Sequence, residues 1–417
     1  MHFEPMFKRA LIPALLGIIL ATLIANLFIN PHTRPLFSPD YWRELHRIGA
    51  VMRLVKVAHV DGAEIDYDTL GQLAIERMLT GLDPYSSFFN AEAFTRLSQD
   101  NEQRYVGIGV QISKLDERVT ITRVFPGSGA EESGILAGDQ IIAVAEKDTR
   151  NASVEEVVSL LRGDPATETT LTLQRPRRVE PYTTTVERRY VTIPSIEDVE
   201  LDDEGIAYLR LVRFGAQTAS EMEQALAALP AEAIRGLIID LRDNPGGLLD
   251  ASLRVAELFI PTGQEIIRMQ GRDPRDNRRF LSQSGQYAGQ FPVVILVNQG
   301  SASASEVVAG ALRDQIGAVL VGQTTVGKGS VQSLYHLGEG QGMKLTTARY
   351  ILPRGDALNG EGLEPAVEVI IEPEDYRTLL RYRHRRPTNE EDDEGIEKLP
   401  PEDRQRQAAE TWLRNNR

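Results

Sequence analysis

Three serines and one lysine are the residues of this sequence whose types and spacing could do covalent chemistry. Ser301, Ser303 and Ser305 alternate with alanines, and Lys328 lies between two glycines, 25 residues after Ser303. The chain has no cysteine, and no histidine lies within residues 298–332. A serine that is deprotonated by a lysine is therefore the first chemistry to consider.

Lys328 is unusual for this chain, which has 7 lysines against 39 arginines. An ammonium group can lose its proton when it is buried, whereas a guanidinium cannot, so Lys328 is the residue that could act as a general base. Gln332 lies four residues later and would share a strand face with Lys328, where its amide could orient the amine. An exposed lysine on a glycine loop, or a phosphate-binding lysine, remains an alternative.

The serine run also has a purely structural interpretation. Ser303 and Glu306 fit a helix capping box, and a nucleophile at this position would equally face the N-terminus of a helix. Position alone does not separate these two roles, and Ser301 and Ser305 are serines of the same type. His336 is a rival base, although its surroundings predict an ordinary strand.

Composition excludes several other classes of function. The net charge of -14 argues against a nucleic-acid-binding surface. The absence of cysteine excludes disulfides, metal–thiolate sites and a cysteine nucleophile. The six histidines show no paired metal-ligand spacing, so we predict neither a metal nor a cofactor.

Apolar strands alternate with helices across residues 176–372, which predicts an α/β core with a largely parallel sheet. Ligands of such sheets bind beyond the carboxyl ends of the strands. One strand end runs into Pro245-Gly246-Gly247, a turn that would expose backbone N–H groups suited to an oxyanion hole. A second strand, Val293–Val297, ends just before the serines. A strand-to-helix turn without a ligand is the alternative for the first of these ends.

The N-terminus contains a hydrophobic segment at residues 10–29, preceded by a basic segment at 1–9. Twenty residues at about 1.5 Å each would span the roughly 30 Å core of a bilayer. We expect an uncleaved transmembrane anchor with the rest of the chain exported, and a cleaved signal peptide or a buried helix are the alternatives. Residues 30–103 have helical periodicity, closed by a turn in which Asp83 is a structural residue.

Short strands, two glycine turns and one capped helix follow one another in residues 104–175. The loop Gly107-Ile108-Gly109-Val110 could direct backbone N–H groups at a chain terminus, and the following strand edge could accept an extended peptide. A small β-rich module without a peptide ligand is the alternative. The tail, residues 373–417, is polar and includes an acidic run, and residues 405–413 are a candidate terminal helix.

The order of these elements in residues 104–175 resembles a PDZ domain. The chain from about Tyr41 to Glu372 resembles the carboxyl-terminal processing, or tail-specific, serine proteases with a Ser–Lys dyad. The resemblance rests on these segments: Gly81–Phe88, Gly107–Val110, Asp240–Gly247, Gly300–Glu306, Gly327–Gln332, Lys344–Tyr350 and Gly360–Pro365. Asp243 stands where an asparagine is common in that family.

The resemblance implies roles for individual residues. Ser303 would be the nucleophile, Lys328 the base and Gln332 its assistant. The amides of Ala304 and Gly247 would form the oxyanion hole. The peptide-binding loop would comprise Gly107, Ile108, Gly109 and Val110. The core would adopt the crotonase/ClpP-like spiral of α/β type, with the PDZ-like domain inserted before it.

The implied function is cleavage of exported proteins that present apolar C-terminal tails to the PDZ-like groove. The enzyme would need no cofactor and would be anchored in the inner membrane, with its catalytic domain in the periplasm or an equivalent space. It could form a homodimer, and ligand capture by the inserted domain would gate the active site. Two other classes are a membrane-anchored PDZ scaffold with an inactive core and an acyl-CoA enzyme on a similar spiral.

Overall fold

The computed structural model describes residues 38–101, 104–115, 118–176, 178–358, 360–384 and 402–416. The chain divides into two compact units, residues 1–88 and 89–417. The predicted transmembrane anchor and the acidic run of the tail lie outside the described residues. Among the helices that are described, none is both long enough and apolar enough to cross a membrane.

The described part of the first unit is helical, as its periodicity predicts. Helix α1 comprises Pro39–Ala58 and α2 comprises Tyr67–Thr80, and the short strand β1, Ser87–Phe89, follows at the unit boundary. Asp66 caps α2 by accepting a hydrogen bond from the Thr69 N–H at 2.7 Å. Asp83 accepts from the N–H groups of Tyr85 and Ser86, both at 2.8 Å. Its predicted role as a turn residue is confirmed.

The second unit begins with an antiparallel, β-rich domain. Its strands β3, β4, β5, β7 and β8 form a sheet in that order, with β6 beside β5, while β2 pairs separately with β9. The elements are α3 (Ala91–Asn101), β2 (Arg104–Gly107), β3 (Val110–Leu115), β4 (Arg118–Val124), α4 (Gly129–Glu132), β5 (Gln140–Val144), β6 (Lys147–Asp148), α5 (Val154–Leu161), β7 (Glu168–Gln174), β8 (Tyr182–Glu187) and β9 (Arg189–Thr192).

This β-rich domain has its own hydrophobic core, built from alternate residues of the strands and one face of α5. Ile121, Leu171 and Val157 are completely buried in it. The predicted capping box of α5 is present, because Ser153 and Glu156 exchange hydrogen bonds at 2.8 and 3.2 Å. The sheet continues through β8, beyond the predicted domain end at residue 175.

The region that follows is an α/β domain around a six-stranded sheet with the order β10-β11-β12-β15-β16-β19. Only the β10–β11 pair is antiparallel, so the predicted largely parallel sheet is confirmed. Its elements are β10 (Ile196–Leu201), β11 (Ile206–Leu211), α6 (Thr218–Ala228), a 3-10 turn (Ala231–Ala233), β12 (Gly236–Asp240), α7 (Leu249–Glu257), β15 (Val293–Val297), α8 (Ala304–Ile316), β16 (Val319–Gly322) and β19 (Val367–Glu368). Every residue of β11, β12 and β15 is buried, because helices or chain segments cover both faces of the sheet.

A second, antiparallel sheet packs against this domain and contains the segment after Lys328. It contains β13 (Glu265–Gly271), β14 (Arg278–Leu281), β17 (Ser330–Gly338) and β18 (Gln341–Ile351), with a 3-10 turn at Pro274–Asp276. His336 lies on β17, as predicted for an ordinary strand residue.

The described part of the C-terminal region contains two helices: α9, Pro373–His384, and α10, Arg404–Asn415. The predicted helix at residues 405–413 is therefore confirmed, but it is not part of a solvated tail. Ala409 and Leu413 are completely buried against β12, β15 and β16. The polar composition hides this packing, because only one narrow apolar stripe of α10 faces the sheet.

Candidate active site

The two strand ends singled out in the sequence are neighbours in the sheet. Strands β12 and β15 are parallel and adjacent, with Asp240 opposite Leu296. The segments that follow them therefore leave the same edge of the sheet, and the Ala302 N–H donates to the Asn244 carbonyl at 3.0 Å. This contact brings the serine run against the Pro-Gly-Gly turn.

Of the three serines, only Ser303 keeps its side chain partly exposed. The buried Ser301 hydroxyl donates to the Leu241 carbonyl at 2.7 Å, and the buried Ser305 hydroxyl donates to the Asn244 carbonyl at 2.9 Å. Those two hydroxyls fasten the loop to the neighbouring turn. The backbone of Ser303 has a φ of 56°, a conformation that costs a non-glycine residue about 1–3 kcal/mol and is concentrated at functional sites.

Glu306 connects the serine to the lysine loop. Its completely buried carboxylate accepts from the Ser303 N–H at 2.8 Å, as in the predicted capping box. It also accepts from the Gly327 N–H at 2.7 Å, the Lys328 N–H at 2.9 Å and the Thr325 hydroxyl. The sequence indicates only a cap here. Glu306 stands among small and apolar residues on a helix that is otherwise buried, and this is the sequence signal that could have indicated its further role.

Lys328 belongs to the loop that hydrogen-bonds to Glu306, and it is partly buried. Burial lowers the pKa of its ammonium group below the usual 10.5, the positive charge of Lys344 lowers it further, and the Glu306 carboxylate opposes both effects. The net direction favours the neutral amine that a general base requires. Gly327 has a φ of 81°, and a Cβ there would meet the Gly362 N at 2.6 Å, so this position requires glycine.

Gln332 does not occupy the geometry on which its prediction was based. Lys328 precedes β17, which begins at Ser330, and the pairing register shifts between Val331 and Gln332. The prediction that Lys328 and Gln332 share one face of a strand is therefore wrong. The Gln332 amide donates to the hydroxyls of Ser330 at 2.8 Å and Thr346 at 3.4 Å. Its assistance to the lysine stays a prediction.

The glycine turn lies directly against the serine. A Cβ on Gly246 would fall 2.9 Å from both the Ala304 N and the Ser303 Cβ. The turn is held by Phe214, whose N–H donates to the Gly246 carbonyl at 3.0 Å and whose carbonyl accepts from the Leu248 N–H at 2.8 Å. Gly247 has a φ of 149°, and a Cβ there would collide with the Phe214 carbonyl oxygen at 2.0 Å.

Two N–H groups are available for a ligand at this turn. Within the described residues, neither the Gly247 N–H nor the Ala304 N–H donates a hydrogen bond. Unsatisfied amides at the N-terminus of a helix, beside a partly exposed serine, are what an oxyanion hole requires. These are the two amides predicted from the sequence.

An arginine that was missed in the sequence supports the turn from beneath. Arg242 is completely buried, and its guanidinium donates to Asp240 at 2.6 Å, to Asp403 at 2.8 Å and to Gln405 at 3.0 Å. Asp403 and Gln405 belong to the C-terminal region, 161 and 163 residues away. No local pattern links such distant residues.

His336 makes a ring contact instead of a catalytic one. It lies exposed on β17, with its imidazole edge-to-face against Phe94 at a centroid distance of 4.9 Å.

Asp243, the residue that departs from the family's usual asparagine, has a φ of 58° and accepts from the Asn298 amide at 2.9 Å and from the Tyr376 hydroxyl. Aspartate tolerates this backbone conformation almost as well as asparagine does.

The predicted peptide-binding loop lines one wall of a groove with a volume of about 470 Å³. Gly107, Ile108, Gly109 and Val110 line it from the β-rich domain, and Arg210 of β11 with the following Val212 and Arg213 line it from the α/β domain. The N–H groups of Ile108 and Gly109 have no acceptor within the described part of the chain. The groove therefore lies between the β-rich domain and the α/β domain that carries Ser303 and Lys328, the catalytic region.

Comparison with known proteins agrees with this architecture. The model of peptidase family S41 matches residues 205–369, and the PDZ domain model matches residues 95–174. The chain is 33% identical over 344 residues to a carboxy-terminal-processing protease of Bartonella bacilliformis, covering 81% of this chain and 77% of that protein. It is 34% identical over 307 residues to a carboxyl-terminal-processing protease of Synechocystis sp., covering 72% of this chain and 71% of that protein.

A solved structure supports the fold. An S41 protease from Bacteroides fragilis superposes with a TM-score of 0.51 at 19% identity, covering 82% of this chain and 93% of that one. At this identity the likeness concerns the fold alone. The two relatives show that the chain belongs to peptidase family S41, among the carboxyl-terminal-processing serine proteases, and the match to the PDZ model shows that it contains a PDZ domain.

Proposed function

We propose that this serine peptidase cleaves exported proteins after capturing their apolar C-terminal tails in the PDZ groove, and that a Ser303–Lys328 dyad performs the cleavage. The single observation that supports the dyad most strongly is the buried Glu306 carboxylate, which accepts from the backbone N–H groups of both residues. The lowered pKa of Lys328 and the partly exposed side chain of Ser303 agree with the two roles.

In this mechanism the neutral Lys328 amine takes the proton from the Ser303 hydroxyl as its oxygen attacks the scissile carbonyl carbon. The Gly247 and Ala304 amides donate to the resulting oxyanion. The Lys328 ammonium then protonates the departing amine as the C–N bond breaks. Water, deprotonated by the same lysine, hydrolyses the acyl-enzyme and regenerates Ser303. Gln332 would orient the amine, and the reaction needs no cofactor.

We further propose that residues 10–29 anchor the enzyme in the inner membrane, with the protease on the periplasmic side or in an equivalent space. The basic segment before this apolar stretch supports the orientation.

A homodimer through the N-terminal helices is supported by exposed apolar side chains on α1, where Trp42, Leu54 and Val57 are 55%, 65% and 82% exposed. The crotonase/ClpP-like spiral is the finer fold that the family implies.

The proposed tail specificity can be tested with one reporter protein in two forms. One form ends in several apolar residues, and the other ends in aspartates at the same positions. We expect the full-length enzyme to degrade the apolar form at least about tenfold faster, because burial of two or three apolar side chains contributes several kcal/mol. Equal rates would refute tail capture, and no cleavage of either form would favour the inactive PDZ scaffold.

A further inference from the structure

The catalytic region contributes to the PDZ groove a buried arginine with an unused donor. Arg210 lies on β11, its side chain is 7% exposed, and its contact with Glu197 is long, at 3.9 Å from Nη1 to Oε2. Its Nε–H has no acceptor anywhere in the described part of the chain. Because buried N–H groups are nearly always paired in native proteins, this one is expected to have a partner that the isolated chain lacks.

The surroundings of Arg210 define the chemistry of that partner. The side chain lines the 470 Å³ groove, whose walls are mostly apolar. The apolar lining residues are Ile108, Val110, Ile112, Phe125, Val158, Leu161, Ile193 and Val212. Three further arginines, Arg123, Arg162 and Arg213, also line it, against the single carboxylate of Glu197. The groove therefore favours a ligand with an apolar body and a negative charge.

Glu197 does not neutralise Arg210 in this arrangement. Its other carboxylate oxygen forms a direct hydrogen bond with Arg123, on the PDZ strand β4. Arg210 is thus the more weakly paired of the two arginines that face Glu197. Ile108 and Gly109 of the PDZ domain line the same groove, and their N–H groups also lack acceptors among the described residues. Donors from two different domains face the same space.

We infer that Arg210 is a specificity-determining residue that binds the C-terminal carboxylate of the captured chain, together with the Ile108 and Gly109 amides. A carboxylate has two oxygens, so one can accept from the loop amides while the other accepts from the guanidinium. The apolar walls then hold the last side chains of the tail. This inference rests on the proposed tail capture and adds a residue that the PDZ domain does not itself provide.

Binding of a tail peptide separates this inference from the question of cleavage. The full chain with Ser303→Ala, which prevents turnover, is titrated with a fluorescent apolar peptide that has either a free carboxylate or a C-terminal amide. We expect the free acid to bind about tenfold or more tightly than the amide, since a charge-assisted hydrogen bond to a buried arginine is lost in the amide. In Arg210→Gln the preference for the free acid should fall about fivefold or more, because only the Ile108 and Gly109 amides then remain to bind the carboxylate.

Two further variants test whether the effect of Arg210→Gln comes from a general loss of positive charge or from a loss of folding. Arg150→Gln removes the charge of an exposed arginine of the PDZ domain that lies outside the groove, and it should preserve the preference for the acid. Glu197→Gln leaves Arg210 in place and removes the one carboxylate that lines the groove, so the preference should be preserved or should increase. A preference for the acid that is unchanged in Arg210→Gln, or that disappears in Glu197→Gln, would overturn the inference. Equal binding of acid and amide by the parent protein would also overturn it, even if the active enzyme still cleaves apolar-tailed reporters.

Discussion

The backbone N–H groups of Ser303 and Lys328 donate to the same atom, Oε2 of Glu306, at 2.8 and 2.9 Å. One buried carboxylate oxygen thus sets the separation of two loops that lie 25 residues apart in the chain. The second oxygen accepts from the Gly327 N–H at 2.7 Å and from the Thr325 hydroxyl. Glu306 is therefore a positioning residue for the proposed dyad.

Replacing Glu306 with glutamine should weaken this connection without changing the side-chain volume. The amide has only one acceptor oxygen, and its NH₂ group would face the N–H groups of the loops, which costs about 1–3 kcal/mol per unsatisfied donor. We expect kcat to fall about tenfold or more, and the pH profile to shift to lower pH, because the charge that raises the pKa of Lys328 is gone. Steady-state kinetics across pH measures both effects.

Glu223→Gln is the matched control for this experiment, because Glu223 is an exposed glutamate on α6. It should behave as the parent enzyme does. An unchanged kcat and pH profile in Glu306→Gln would contradict the positioning role.

The charge of Lys344 should lower the pKa of Lys328, the proposed base. Its ammonium lowers the pKa of Lys328, so Lys344→Met should raise that pKa and move the rising limb of activity to higher pH. Activity requires neutral Lys328, so the variant loses most at the low end of the pH range and recovers as pH rises. The measurement is kcat/KM against pH, with Lys147→Met, an exposed lysine of the PDZ domain, as the control. A limb that stays in place, or moves to lower pH, would show that Lys344 does not tune the base.

The buried Arg242 should make the C-terminal helix α10 necessary for the stability of the core. In Asp403→Asn the guanidinium, which has no exposure, loses one of its two carboxylates, at 2.8 Å. Breaking a buried pair in this way costs about 3–5 kcal/mol. Chemical denaturation should show this loss, whereas Glu402→Gln at the adjacent exposed position should change nothing measurable. Equal stability of the two variants would mean that the contact to α10 contributes little.

Features of this site could be predicted where they depend on residues close together in the sequence, and not where they depend on distant ones. The strand ends at Asp240 and Val297 were predictable, because apolar runs and glycine turns are local patterns. Arg242 was not, since its partner Asp403 lies 161 residues away. Gln332 was misjudged in its geometry because a register shift follows Val331, and bulges leave little trace in a single sequence.

Gating by the PDZ domain has a physical route through β11. Arg210 and Val212 line the groove, and the same segment ends at Phe214, which hydrogen-bonds on both sides of the Gly246–Gly247 turn. An uncleavable apolar tail peptide should therefore accelerate cleavage of a short, tailless reporter by the full-length enzyme. The amidated peptide is the control and should have a smaller effect. A reporter rate that is independent of the tail peptide would argue against gating.

The close approach of the glycine turn to Ser303 predicts a specific sensitivity at Gly246. Gly246→Ala would place a methyl group 2.9 Å from the Ala304 N, next to the proposed oxyanion. We expect kcat to fall by about 100-fold, the usual scale for loss of an oxyanion-hole donor. Gly263→Ala has a similar positive φ of 85° but open space around it, so it tests backbone strain without the collision. If both variants lose activity equally, strain and not proximity to Ala304 is responsible.

Ser303 and Lys328 are proposed to act as a pair. This pairing is tested by the rate at which the parent enzyme, Ser303→Ala and Lys328→Ala cleave an exported protein with an apolar tail, after each variant has been shown to unfold cooperatively. We expect cleavage by the parent alone, with both variants reduced at least about 1,000-fold and the double variant no slower than either single one. Cleavage by Lys328→Ala at the parental rate, or equal rates for all three proteins, would contradict it.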